Sequence, residues 1–137
     1  MANALYDKGR EKFLTGALSW TSDNIKLYLV RGYTANLATH EFLSDITGGG
    51  GGTIVATSGN LTSKTATSGV ADAADVTYSA VAAGAACQHL ILVKDTGTAA
   101  TSPLIAAIDT ASGLPVTPNG GDITVVFDSG SNRIFKL

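Results

Sequence analysis

Alternating and continuous apolar runs predict that the chain is built mainly from short β-strands. Residues 25–30 alternate apolar and polar side chains, whereas residues 89–94 form a continuous apolar run, which is typical of a central strand buried on both faces. Runs rich in Val, Ile, Thr and Ala predict further strands at residues 53–57, 61–67, 76–81, 104–108, 123–127 and 134–137. Turn residues separate these runs, and residues 128–132 are predicted to form a hairpin loop.

Apolar residues at helical spacing predict two short helices. In residues 3–14 they recur every four positions, between Asn3, a suitable N-cap, and Gly16, a suitable left-handed stop. In residues 39–46, a capping Thr39 precedes apolar residues at helical spacing, which predicts one or two helical turns. Because the apolar stripe of the first helix is narrow, we expect this helix to pack against the rest of the domain or against a neighbouring subunit.

Five consecutive glycines occupy residues 48–52. A run without side chains loses much backbone entropy when it is ordered, so we predict a flexible surface loop. It is not a phosphate-binding loop, because no Gly-Lys-Ser/Thr sequence follows it at the start of a helix. We therefore predict an N-terminal helix or arm at residues 1–16 and a single β-rich domain at residues 17–137 that carries this glycine loop.

The predicted elements place the protein in the mainly β class, as a β-sandwich or small barrel-like fold of short antiparallel strands with a short N-terminal helix. The composition agrees with this class. Hydrophobic residues make up 45% of the 137 residues, which is enough for one core, whereas only 15% are charged. Long helical bundles and coiled coils need many more Glu, Lys and Arg residues, and the composition excludes them.

The charge pattern excludes several classes of partner. The formal net charge is −2 and there is no basic block, so the chain lacks the Lys and Arg cluster that neutralises nucleic-acid phosphates. No stretch approaches the roughly 20 apolar residues of a membrane span, and the charged N-terminal segment lacks the apolar centre of a signal peptide. We therefore expect neither a nucleic-acid partner nor a membrane partner.

Few side chains are suited to catalysis or metal binding. The two histidines, His40 and His89, are far apart in the sequence, and we interpret them as capping or core histidines. Alternation along an extended chain predicts that Cys87 shares a face with His89, but the apolar residues around this cysteine favour an inert, buried thiol with a raised pKa. The sequence therefore predicts no enzyme, no metal site and no cofactor.

Aromatic residues are concentrated in the first third of the chain. Most of them are expected in the core, but aromatic side chains are also enriched at the centres of protein interfaces. We therefore predict a protein-binding surface formed by the N-terminal helix and the tryptophan that follows it. Its candidate residues are Leu5, Tyr6, Phe13, Leu14 and Trp20.

Segments spread over nearly the whole chain carry a resemblance to a known family. In chain order they are MANALYDKGREKFL (1–14), SDNIK (22–26), YTAN (33–36), THEFLSDI (39–46), GVADAADV (69–76), DTG (95–97), SPLIA (102–106), GLPVTPNGGDI (113–123) and NRIFKL (132–137). Together they resemble the small virion proteins that are encoded beside the major capsid gene in many tailed bacteriophages. The glycine run at 48–52 is not part of this pattern.

The resemblance implies a structural role on the virion. The family is associated with capsid decoration, in which a cement protein binds the outside of the shell and stabilises it by bridging major capsid subunits. The implied partner is therefore the phage major capsid protein. The resemblance also implies a homo-oligomer, with a trimer favoured, located on the capsid surface after assembly in the host cytoplasm.

Other functions are compatible with the sequence. Head fibre bases, head–tail connectors and tail proteins are virion components that also use β-sandwiches. A receptor-binding or glycan-binding module belongs to a different class, and it would need an exposed aromatic platform with polar neighbours. The position of the aromatic side chains in the fold separates this last alternative from a protein-contact role.

Overall fold

Short strands dominate the structure, as the apolar pattern predicts. The computed structural model describes residues 4–109, 113–127 and 134–136. This part of the chain is mainly β with a short N-terminal helix, so the predicted fold class is confirmed. The elements are β1 (Ala4–Leu5), α1 (Asp7–Leu14), β2 (Ile25–Arg31), α2 (Leu43–Thr47), β3 (Thr53–Thr57), β4 (Val70–Ala71), β5 (Val76–Tyr78), β6 (His89–Lys94), β7 (Leu104–Ile108), β8 (Ile123–Val125) and β9 (Phe135–Lys136).

Five strands form an antiparallel sheet in the order β1–β7–β6–β2–β3. Strand β6 lies at its centre and is buried on both faces, as its continuous apolar run predicts. Strand β2 is also buried on both faces, so Tyr28, which the alternation places on a polar face, is only 6% exposed. A bulge between Leu29 and Val30 shifts the register of β2 against the edge strand β3.

Each face of this sheet packs into its own hydrophobic cluster. On one face, alternate side chains of β2 and β6 pack against residues of the two small sheets, β4–β9 and β5–β8, in what we call the first core. The Tyr78 hydroxyl on β5 donates a hydrogen bond to the carbonyl oxygen of Leu27 on β2 at 2.7 Å. On the other face, the remaining side chains of β2 and β6 pack against Tyr6, Tyr33 and helix α2 in the second core.

The N-terminal helix begins later than predicted. Residues Ala4–Leu5 pair with β7 as strand β1, so the helix covers only Asp7–Leu14. Its end agrees with the prediction, because Gly16 adopts a left-handed conformation with a φ of 79°. The predicted cap Asn3 lies outside the described residues. Both β1 and α1 contact β7, and the predicted division of the chain at residue 16 stays a prediction.

The second helix is capped by a different residue from the one predicted. It covers Leu43–Thr47, and Thr39 lies before it rather than at its cap. The Asp45 carboxylate accepts the backbone N–H groups of Glu41 at 2.7 Å and Phe42 at 2.9 Å. An aspartate within the first turn therefore accepts the N–H groups of the two residues that precede the helix, where the sequence suggested a threonine cap.

Two predicted strands are interrupted by residues with positive φ angles. Residues 61–67 form no strand, because Ser63 has a φ of 53° and breaks the extended chain. The strand predicted at 76–81 ends two positions before Ala80, which has a φ of 48°. The last two predicted strands are observed in shorter form as β8 and β9. The hairpin loop predicted at 128–132 lies outside the described residues.

The glycine run packs against the second core, where the sequence suggested a loop without packing contacts. Gly50 and Gly52 are buried. The Gly50 N–H donates to the Asp45 carbonyl oxygen at 2.9 Å, and the Gly52 N–H donates to that of Ile46 at 2.7 Å. A Cβ atom at Gly50 would overlap the ring of Tyr33. The missing side chain therefore makes room for an aromatic ring of the core.

Candidate protein interface

Helix α1 lies close to the sheet because Gly9 faces the backbone of β7. Gly9 is buried, and a Cβ atom at this position would lie 2.6 Å from the Leu104 carbonyl oxygen and 3.2 Å from that of Ile105. Only glycine permits such a close approach between a helix and a strand backbone. The Tyr6 N–H donates to the Ile105 carbonyl oxygen at 3.0 Å, which fixes the start of the helix on the same strand.

The opposite face of α1 is exposed to solvent, and the apolar side chain of Leu14 on this face packs against nothing. Asp7, Arg10, Glu11 and Leu14 are all exposed and share one helical face. Leu14 is 88% exposed, the most of any large hydrophobic residue in the described ranges, and Val126 follows at 71%. Full burial of a leucine side chain contributes about 2 kcal/mol, and this chain leaves that contribution unused.

An apolar groove of about 430 Å³ lies beside Leu14. Its lining residues are Leu5, Arg10, Phe13, Leu14 and Lys136. The Phe13 ring packs against Phe135 with 6.2 Å between centroids, so the apolar wall of the groove is continuous with the first core. Arg10 and Lys136 add positive charge; Arg10 also pairs with Asp7 at 3.0 Å, in an exposed ion pair of small energy. This groove fits an apolar side chain that has an acidic neighbour.

The structure divides the five residues predicted as an interface. Leu5, Phe13 and Leu14 meet at the groove, although Leu5 itself is only 7% exposed. Tyr6 and Trp20 are 0% and 5% exposed and belong to the cores, so they are not available to a partner in this fold. The predicted surface is therefore corrected to the end of α1, without Tyr6 and Trp20.

Tyr6 and Trp20 are buried for different reasons. Trp20 packs edge-on against Phe135 with 5.2 Å between centroids, and its indole N–H donates to the Asp72 carbonyl oxygen at 3.2 Å. Tyr6 places its hydroxyl 2.7 Å from that of Tyr33 inside the second core. Both side chains thus have a polar partner within the chain, which is the usual condition for burying Tyr or Trp.

A chain of three polar side chains crosses the second core. Tyr6 contacts Tyr33, and the Tyr33 hydroxyl lies 2.7 Å from His40 Nδ1. The Asn36 backbone N–H also donates to His40 Nδ1 at 3.2 Å, which matches the tautomer with its proton on Nε2, and in that tautomer Tyr33 donates to Nδ1. Tyr33 then accepts the hydrogen bond of Tyr6. Burial raises the pKa of both tyrosines. No sequence spacing indicated this chain, because its members are brought together only by the fold.

Both histidines contact the same tyrosine, which lies on the opposite face of the sheet from the cysteine. His40 stacks on the Tyr33 ring at 5.6 Å, and His89 meets that ring edge-on at 5.4 Å. Cys87 packs in the first core on the other face of the sheet, so the predicted common face with His89 is wrong. The pairing partner changes from Val116 to β2 between the two residues, which breaks the alternation. Burial raises the pKa of the Cys87 thiol, as predicted.

Removing the Tyr33 hydroxyl is expected to destabilise the fold. In Tyr33→Phe the fully buried Tyr6 hydroxyl loses its hydrogen-bond partner, at a cost of about 1 kcal/mol in the free energy of unfolding. The double variant Tyr6→Phe/Tyr33→Phe leaves no such hydroxyl and should cost no more than the single one. Urea unfolding of the three variants measures this coupling. A double variant that costs the sum of the two singles would contradict it.

His89 makes the stability depend on pH. Its side chain is 8% exposed, and its Nδ1 atom is buried without a hydrogen-bond partner in the described part of the chain. Burial lowers the pKa of His89 below its ordinary value of 6.5, although the charge of Asp109 acts in the opposite direction. The unfolded chain therefore binds the proton more readily. Stability is full above about pH 6.5 and falls as the pH drops towards the lowered value.

The slope from His89 cannot exceed about 1.4 kcal/mol per pH unit, which corresponds to one proton. Urea unfolding measured between about pH 7 and 5.5, above the range where carboxylates titrate, should show this slope. In His89→Gln the slope should shrink, whatever the change in absolute stability. A variant with the slope of the wild type would show that other groups cause the pH dependence.

The described ranges contain neither a metal-binding cluster nor a membrane-spanning helix. Across residues 4–109, 113–127 and 134–136, no group of three or more His, Cys, Asp or Glu residues is placed to hold a metal ion. No helix in those ranges is long and apolar enough to cross a membrane. In comparisons with known proteins, no family model matches the chain and no curated protein matches it significantly.

Proposed function

We propose that the protein is a structural component of a phage virion, which binds the outside of the capsid and stabilises the shell by bridging major capsid subunits. The observation that supports this most directly is the 88% exposure of Leu14 beside an apolar groove. An exposed leucine on a helix fixed to a sheet is suited to contact with another protein. The segment at 1–14, which contributes to the resemblance to small virion proteins, contains this helix.

A protein of this kind stabilises the shell through the binding energy of its contacts with capsid subunits. Burial of the Leu14 side chain contributes about 2 kcal/mol at each site, and a symmetric shell repeats the contact at every equivalent position. Only 15% of the residues are charged, but Asp7, Arg10 and Glu11 share the exposed face with Leu14, so a partner also has to match these charges or leave them in water. These properties support a role in binding and bridging.

A protein that bridges two capsid subunits needs two contact surfaces at a fixed distance, and the two edges of the main sheet are such a pair of surfaces. The groove lies at the β1 edge, and β3 forms the opposite edge of the sheet. Four strand spacings of about 4.8 Å place these edges about 19 Å apart. Since the intervening strands β7, β6 and β2 are buried in the two cores, the two edges form one rigid unit.

The aromatic side chains favour protein contact over a glycan platform. All nine Trp, Tyr and Phe residues of the sequence lie in the described ranges, and each is buried or half-buried. A glycan-binding module stacks sugars on exposed rings, and none is offered in these ranges. The large hydrophobic side chains that are exposed in these ranges, Leu14 and Val126, are both aliphatic.

Leu14→Asp is expected to weaken binding to assembled capsids by about 30-fold or more, because it places a charge where an apolar side chain is buried. Co-sedimentation with shells that lack this protein measures the affinity. The matched control is Ala100→Asp, which adds the same charge at an exposed position in the turn Ala99–Thr101 that contacts α2. A point substitution is preferable to deletion of residues 1–14, since deletion would remove β1 and the buried Tyr6.

Wild-type protein that fails to bind the shells would contradict the proposed function. Normal binding by Leu14→Asp would contradict the assignment of this surface. Cryo-electron microscopy of the native particle gives the location directly. Density on the outer face of the shell is expected, and density confined to the tail, a fibre base or the connector would favour another virion component.

A further inference from the structure

An exposed loop between β2 and α2 is attached to the second core through a histidine. Residues 34–40 form no helix or strand, and each of them is exposed or half-buried. Within the loop, the Asn36 side-chain oxygen accepts the N–H groups of Ala38 and Thr39, both at 3.2 Å. The Asn36 carbonyl oxygen also accepts the N–H of His40 at 2.9 Å. Because these bonds lie within residues 34–40, the loop can move as one unit.

Two contacts join the middle and the end of this 34–40 loop to neighbouring elements. The Leu37 carbonyl oxygen accepts the N–H of Asp7, the first residue of α1, at 2.9 Å. The His40 ring stacks on the Tyr33 ring, and its Nδ1 atom lies 2.7 Å from the Tyr33 hydroxyl. The first contact joins two backbone groups, which do not titrate. The second contains a histidine, the side chain that gains a proton between about pH 8 and pH 5.

The Nδ1 atom of His40 receives two hydrogen bonds and has no free site for a proton. The donors are the Tyr33 hydroxyl at 2.7 Å and the Asn36 backbone N–H at 3.2 Å, in the tautomer with its proton on Nε2. A second proton on this ring has to bind Nδ1. It would then point towards the Asn36 N–H, and one donor cannot bond to another. The closed loop therefore disfavours the protonated ring.

The tyrosines behind His40 cannot compensate for such a change. In the neutral form each hydroxyl proton has an acceptor, since Tyr6 donates to Tyr33 and Tyr33 donates to His40. With a proton on Nδ1, the row contains three protons and only two hydroxyl oxygens, so one hydroxyl proton has no acceptor in the row. Tyr6 and Tyr33 are only 0% and 5% exposed, so the closed loop gives water little access to replace that acceptor.

The charged groups around His40 have the opposite effect on its proton. The titratable and charged groups that face His40 or pack around it are Tyr33 after β2, Asp45 on α2, His89 on β6 behind the Tyr33 ring, the ion pair of Glu41 with Lys12, and that of Asp7 with Arg10 on α1. Each ion pair is neutral as a whole, and burial favours neutral His89 by lowering its pKa. The charge of Asp45 acts on His40 directly. Asp45 therefore attracts a proton that the closed loop cannot accommodate.

We propose that the 34–40 loop is a pH-sensitive switch, which opens from the second core when His40 is protonated while the main sheet stays folded. Opening turns His40 to water and lets water reach the Tyr33 hydroxyl. Only two half-buried apolar side chains of the loop, Ala35 and Leu37, leave the second core, which limits the cost of opening. The bond from Asp7 to Leu37 also breaks. This inference goes beyond the proposed function and does not depend on it.

The loop is expected to open as the pH falls. A histidine in water is half protonated at about pH 6.5, and the closed loop excludes the second proton, so the open form binds one proton more. One extra proton favours opening by up to about tenfold for each pH unit below that value. Between about pH 7.5 and 5.5, the equilibrium constant for opening should therefore rise by about tenfold.

Amide hydrogen exchange of the full chain, followed by NMR, measures this opening residue by residue. From about pH 7.5 to 5.5, the protection factors of the Asn36 and Asp7 N–H groups should fall by about tenfold. Ile91 in the central strand β6 should stay at least about 100-fold more protected than Asn36 at both pH values, because the sheet stays folded. Unchanged protection at Asn36 would overturn the proposal. Loss at Asn36 without loss at Asp7, or similar protection of Ile91 and Asn36, would exclude a separate movement of the loop.

His40→Asn is the matched control. Its side-chain oxygen takes the place of Nδ1 and accepts the same two donors, but it cannot gain a proton. Protection at Asn36 should then be independent of pH in this range. His89→Gln should keep the response of the wild type at Asn36, because His89 makes no hydrogen bond to the loop in the described chain. A wild-type response in His40→Asn, or a lost response in His89→Gln, would overturn the assignment to His40.

Discussion

Replacing Gly9 with alanine is expected to reduce the free energy of unfolding by about 2 kcal/mol. The added Cβ atom would lie 2.6 Å from the Leu104 carbonyl oxygen and 3.2 Å from that of Ile105, and both are backbone atoms of β7 that cannot rotate away. Overpacking of this kind costs up to about 3 kcal/mol, and the better helix propensity of alanine returns about 1 kcal/mol. Urea unfolding followed by circular dichroism measures the difference.

The matched control for Gly9→Ala is Gly59→Ala. A Cβ atom at Gly59 meets nothing within 4 Å, and its φ is not positive. This substitution should change stability by less than about 0.5 kcal/mol, or raise it slightly by restricting the unfolded chain. If Gly9→Ala were as stable as the control, the close approach of α1 to β7 would be contradicted. A displaced α1 would also move Leu14, so Gly9→Ala should weaken the capsid binding that we propose.

Replacing Gly50 with alanine is expected to cost about 2 kcal/mol, because the new methyl group would overlap the ring of Tyr33. That ring has little freedom to move. It is buried in the second core, its hydroxyl is hydrogen-bonded to Tyr6 and His40, and His89 packs against it edge-on. The same unfolding measurement applies, and near-ultraviolet circular dichroism reports on the packing of the tyrosine.

The neighbouring glycine provides a stringent control. A Cβ atom at Gly49 would lie 3.8 Å from His40 Nε2, an ordinary contact distance, and the φ of Gly49 is not positive. Gly49→Ala should therefore change stability by less than about 0.5 kcal/mol. Equal losses of stability in Gly49→Ala and Gly50→Ala would mean that any side chain in the glycine run is unfavourable, because it restricts the backbone. Unequal effects in the stated order would confirm that Gly50 has a specific packing role.

The longer strands of the main sheet were predictable, because runs of apolar and β-branched residues bounded by turn residues leave a clear pattern in the sequence. Strands β2, β3, β6 and β7 lie within one residue of their predicted bounds. Strand β1 was not predictable, because two residues carry no periodicity and their pairing depends on β7, about a hundred positions away. The short helix α2 depends on Asp45, whose capping role is visible only once the local backbone is known.

The candidate interface was only partly predictable from the apolar stripe of α1. The stripe shows that one face is apolar but does not show which residues meet the sheet. Gly9 carried an unused signal: a glycine inside a helix costs about 1 kcal/mol, so its presence indicates a close approach to another backbone. That approach orients α1 with Leu14 outward and Tyr6 inward.

The two edges of the main sheet have a consequence for the crowding that the proposed role on a shell would impose. An exposed, regular edge strand is a template for uncontrolled pairing with other chains and leads to aggregation. Within the described residues, the edge strand β1 pairs over only two residues, and the other edge strand, β3, is shifted in register against β2 by the bulge at Leu29 and Val30. Such edges are poor templates for further strands. Dense packing of many copies is thereby compatible with solubility, and recognition is left to side chains.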